Sequence, residues 1–157
     1  MPAPNIDWDE ALKGEPLTDI HWHGFFWKGQ AARIFLFKYQ AERSPGTHDF
    51  DQGDTPAEFV PDNLRRPRLV KGTWTDIDAA AAWARMMWDQ NAPASTYKDP
   101  DDTQRYVRRT AELGSDPVWA WDLPNPGDST TARVYLVSCP NRMAPELPCP
   151  SPPRAGA

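Results

Sequence analysis

The sequence predicts an α+β domain, with a mainly antiparallel sheet built from two hairpins and two helices packed on one face. Two strand-like regions, 19–40 and 118–137, flank two helix-length segments, 75–91 and 99–114. That order lacks the strand–helix alternation of a doubly wound sheet. A length of 157 residues suits one ordinary domain. The expected division is an N-terminal arm over 1–17, a single domain over 18–139, and a proline-rich extended or disordered tail over 140–157.

In the arm, Ile6 to Leu12 can form one helical turn that lays Trp8 and Leu12 on the core. Asp19 to Trp27 is aromatic, Lys28-Gly29-Gln30-Ala31 reads as a turn, and Ala32 to Gln40 is rich in Ile, Phe, Leu and Tyr. Together they predict the first hairpin. The segment 41–67 holds Pro45-Gly46, Gly53, Pro56, Pro61 and Pro67, which excludes a long regular element, and loops of this length often carry function. Arg68 to Lys71 reads as a short strand.

Thr75 is placed to cap the first helix, with Asp76 and Asp78 at the positive end of its dipole. Ile77, Ala80, Ala81, Ala84, Met87 and Trp88 recur at helical spacing, and the helix should end near Asn91, before Pro93. The second helix is punctuated by Asp99, Pro100 and Gly114, and its thinner apolar face (Tyr106, Val107, Leu113) predicts an outer position. Val118 to Trp121 and Ala132 to Val137, separated by the turn residues 122–129, predict the second hairpin, with a buried last strand. Prolines from Pro140 to Pro153 cannot supply regular ladder donors, hence the expected tail.

The 39% apolar fraction is compatible with a globular core, and eight Trp predict that the core relies on large flat side chains. A net charge of −5 argues against a nucleic-acid binder that works by general phosphate neutralisation. The basic clusters Arg65, Arg66, Arg68, Lys71 and Arg105, Arg108, Arg109 read as solvated surface. The N-terminus lacks a secretory pattern and no window approaches about 18 consecutive apolar residues, so no membrane span and a cytoplasmic location are expected. Cys139 and Cys149, ten apart, fit no CxxC redox or zinc pattern and read as free thiols.

The stretch 20–29 holds two of the three histidines. On a strand, His21, His23, Phe25 and Trp27 share one face. Two imidazoles so placed can bind one transition metal, for which His48, Asp49, Asp51 or Asp54 in the long loop could supply a third ligand; the alternative is a pair of histidines at a sheet surface or aromatic core edge making ordinary hydrogen bonds. His48 beside Asp49 is also the candidate general base. The run Ile20-His21-Trp22-His23-Gly24-Phe25-Phe26 resembles the first copper-ligand motif of laccases and other multicopper oxidases. The resemblance implies copper ligation by His21 and His23. The trinuclear cluster of that family needs several further His-x-His motifs, and this chain has one other histidine. A cupin pattern also fails, because Phe26, Trp27 and Lys28 stand where its carboxylate should follow.

No nucleophile elbow, Walker loop or Rossmann glycine fingerprint is present. That failure favours a non-enzymatic protein-binding module that uses an aromatic sheet face (Trp22, Trp27, Trp119, Trp121) and the 41–67 loop. The alternatives are a small metal-dependent or general-base enzyme with a site at His21, His23 and His48, assisted by Asp49 or Asp51, and a binder of a planar small molecule held between tryptophans.

Overall fold

A computed structural model describes residues 5–95, 99–124 and 129–153. It has one four-stranded antiparallel sheet in the order β2-β1-β4-β3. Its strands are β1 (His21–Gln30), β2 (Gly72–Trp74), β3 (Val118–Asp122) and β4 (Thr130–Cys139). The fold class is the expected α+β. β4 lies along the whole of β1, from His21 opposite Cys139 to Gln30 opposite Thr130, and β3 pairs with β4 as the expected hairpin.

The first hairpin forms differently. Lys28, Gly29 and Gln30 continue the β1 ladder instead of turning, and the apolar run after them coils into α2 (Ala32–Phe35) and a 3-10 segment, Phe37–Arg43. β4 occupies one edge of β1, β2 takes residues 22–24 of the other, and the run at 32–40 joins neither. It leaves Phe35 and Phe37 exposed. The second partner of β1 comes from Gly72–Trp74, while Pro67–Leu69 is a 3-10 turn where the residue types predict a strand. The intervening breakers permit only α3 (His48–Gln52) and the 3-10 segment Val60–Arg65.

The two long helices are α4 (Ile77–Gln90) and α5 (Pro100–Glu112). The α4 cap is Asp76 rather than Thr75, its carboxylate accepting from the amide of Asp78. Asp99 caps α5 in the same way, Pro100 follows, and Gly114 takes a φ of +80° just past the end, where a side chain would be strained. Alanines at 80 and 84 let α4 approach the sheet, and Val107 and Ala111 of α5 join the same core with Trp22, Trp88, Trp119, Trp121 and Leu136. The α5 helix is therefore a core element as well as an outer one. Its arginines are occupied: Arg108 pairs with Asp78 and Glu112, and Arg109 bonds Glu112 and the arm carbonyl of Leu12.

The opposite face of the sheet carries a second core of Phe25, Tyr135 and Val137 with Leu64, Ala144 and Leu147. β4 is thus covered on both faces, which explains its nearly continuous burial. Ala144 and Leu147 belong to the expected tail. Over its described part, 140–153, that tail folds back through turns at Asn141–Ala144 and Ala144–Leu147 and packs on the sheet. The short arm helix, α1 (Trp8–Ala11), packs Trp8 against Tyr106 and bonds Asp102. Among the described residues, no helix is long and apolar enough to cross a membrane.

Candidate metal centre

Strand alternation assigns the two parts of His-Trp-His-Gly to opposite sides of the sheet. Trp22 enters the helix-side core, and Gly24 lies beneath two indoles: a Cβ there would sit 2.6 Å from the Trp83 ring and 2.7 Å from that of Trp74. The glycine is required by close approach. His21 and His23 take the other side. Register sets Cys139 opposite His21 on β4, and Thr73 opposite His23 on β2.

The returning tail supplies the fourth group. Buried Ala144 and Leu147 fix its path, so that Cys149 arrives over the histidines. Asp116 holds the start of this return by accepting from the Ser138 amide and hydroxyl and from the Asn141 side chain at 2.8–3.0 Å. One ligand atom from each of His21, His23, Cys139 and Cys149 falls within 4.8 Å of every other. Three of them form a tight triangle: His21 Nε2 to His23 Nε2 is 3.1 Å, His21 Nε2 to Cys149 Sγ is 3.3 Å, and His23 Nε2 to Cys149 Sγ is 3.6 Å. A tetrahedral ion with metal–nitrogen and metal–sulfur bonds of ordinary zinc length needs edges of about 3.3 Å for N···N and about 3.5 Å for N···S. The triangle has that size.

Hydrogen-bond logic fixes which imidazole nitrogen faces the cluster. His23 Nδ1 lies 2.9 Å from Thr73 Oγ1, and the Thr73 hydroxyl donates to the Ser151 carbonyl at 3.4 Å. With its proton so directed, Thr73 accepts, so His23 Nδ1 donates and Nε2 presents a lone pair to the cluster. Burial lowers the pKa of His21 below its ordinary value. Burial, and then the neighbouring His21, lower His23 to about 4. Both rings are therefore neutral and able to ligate at neutral pH. Burial, and then a hydrogen bond to Cys149, push the Cys139 thiol up to about 12, so an incoming cation must displace its proton.

The other expected ligands are elsewhere. His48, Asp49 and Asp51 are carried on α3, which Phe50 anchors, and neither His48 nor Asp51 joins the cluster around His21 and His23. Among the described residues, no hydrogen bond pairs His48 with Asp49 as a general base would require. Nor do the four tryptophans form an exposed platform: Trp22, Trp27, Trp119 and Trp121 are all buried, the last two packing against Trp88. Alternation along the strands points Trp22, Trp119 and Trp121 into the helix-side core, as large flat groups in a core short of aliphatics should be, while Trp27 is buried on the other face of β1. Of the basic cluster 65–71, Arg66 is buried as a brace, bonding the Thr55 carbonyl and stacking on Phe50.

The cysteines are the members of the cluster that sequence spacing misses. Zinc spacing rules describe ligands on one local knuckle, whereas Cys139 reaches His21 through strand register and Cys149 through the tail's return. No family model, curated protein or solved structure matches this chain.

Proposed function

We propose that the chain is a metal-binding protein in which His21, His23, Cys139 and Cys149 hold one transition ion, zinc being the best match, as a structural centre. The convergence of two imidazole nitrogens and two sulfurs within 4.8 Å carries this reading. Tetrahedral N2S2 donor sets suit zinc: soft thiolates select against magnesium and calcium, and four protein ligands leave no open position for substrate. The role is therefore fastening rather than catalysis. The ion joins two neighbouring strands to the tail segment ending at Cys149, which is otherwise held by Ala144, Leu147 and a few polar contacts.

The test is metal uptake by the reduced, untagged protein, followed by elemental analysis after desalting. About one equivalent of zinc per chain is expected, with tight binding lost in a Cys139→Ser/Cys149→Ser double variant. Retention of less than about a tenth of an equivalent after incubation with zinc at neutral pH would overturn the reading.

A further inference from the structure

We propose that Cys149 and Cys139 form a hydroperoxide-sensitive pair whose oxidation to a disulfide releases the bound metal. This rests on the reading that both sulfurs ligate one ion. The two sulfurs differ in access. Cys149 is exposed, whereas Cys139 is 3% exposed within the β4 ladder. A peroxide from solvent therefore meets Cys149 first, and Cys139 stands behind it within 4.8 Å as the resolving thiol. Cys149 lies in an irregular segment between Pro148 and Pro150, outside any strand pairing, while Cys139 is fixed by its pairing with His21.

In the first step, the Cys149 thiolate attacks one peroxide oxygen. An S–O bond forms, the O–O bond breaks, and hydroxide or alkoxide leaves, giving a sulfenic acid. In the second, the Cys139 thiolate attacks that sulfur. The S–S bond forms, the S–O bond breaks, and hydroxide leaves. The sulfur pair loses two electrons, the peroxide gains them, and the metal leaves without changing oxidation state. Only His21 and His23 then remain as ligands, and two imidazoles alone hold zinc weakly. A dithiol reductant restores both thiolates and the site.

The experiment treats the reduced, zinc-loaded full chain with a small excess of hydrogen peroxide and follows released zinc with a chromogenic chelator, beside peptide mapping of the cysteines. The proposal expects zinc release to track formation of a Cys139–Cys149 disulfide, and dithiothreitol to restore both thiols and zinc binding. In Cys139→Ser, the expected product is a Cys149 sulfenic acid, trapped by a dimedone-type reagent, with no intramolecular disulfide. Zinc that stays bound with both thiols intact, or release accompanied by sulfinic acid at Cys149 without a disulfide, overturns the switch while leaving the metal reading standing. Reduced protein that never takes up zinc overturns the metal reading, and the switch with it.

Discussion

The imidazole of His23 is held by Thr73: Nδ1 lies 2.9 Å from the threonine hydroxyl, directly across the β1–β2 pairing. This gives the three-residue strand β2 a role beyond extending the sheet, because it supplies the contact that turns His23 Nε2 toward the cysteines. Removing that hydroxyl should leave the ligands in place but loosen their aim. Thr73→Val is expected to weaken zinc binding by roughly 10–100-fold with stoichiometry unchanged, and Thr73→Ser to restore most of it, read by competition against a chelator of known affinity.

Metal binding should release protons. Cys139, pushed up to about 12 by burial and its bond to Cys149, is a neutral thiol throughout the neutral range, so the ion displaces at least its proton. Apparent zinc affinity is then expected to fall at least about tenfold for each unit of decreasing pH between about 8 and 7. The histidines add little there, since both are held below their ordinary value and are already neutral. Calorimetric titrations in buffers of different ionisation enthalpy measure the proton count; affinity independent of pH across that window would contradict the assignment of Cys139 as a ligand.

Gly24 should tolerate no side chain. A methyl group on its Cα would stand 2.6 Å from a Trp83 carbon and 2.7 Å from one of Trp74, so Gly24→Ala forces ring movement in the helix-side core. A loss of about 1–3 kcal/mol is expected from urea unfolding at constant m-value. Because the clash lies on the face away from His23, any variant that still folds should bind zinc normally.

Trp119→Ala tests where the tryptophans work. At 3% exposure and stacked on Trp88, Trp119 is a packing residue, and its truncation is expected to cost about 3–5 kcal/mol. A variant as stable as the parent in the same unfolding experiment would mean that the indole does not fill this core.

The sequence announces its helices through local chemistry. Asp99, Pro100 and Gly114 each act within one turn, and Ala80, Ala84 and Trp88 align by period alone. The pairing of His21 and His23 is legible for the same reason, since strand alternation is a two-residue property. What is not legible depends on distant partners. The run at 32–40 has strand-forming residues but coils, and the Arg43 guanidinium donates to the Arg33 and Leu36 carbonyls that a strand would offer to a ladder. Cys139 becomes a neighbour of His21 only once the long β1–β4 register is set, and Cys149 only once Ala144 and Leu147 find the second core. His48 and Asp51 suit a metal by residue type, yet the helix that carries them holds them apart from the cluster.

X-ray absorption at the zinc edge of the reduced, metal-loaded protein tests the four-ligand assignment most directly. The arrangement of His21, His23, Cys139 and Cys149 predicts two sulfur scatterers at about 2.3 Å and two imidazole nitrogens at about 2.0–2.1 Å. A first shell of oxygen and nitrogen alone, with no sulfur, would contradict it.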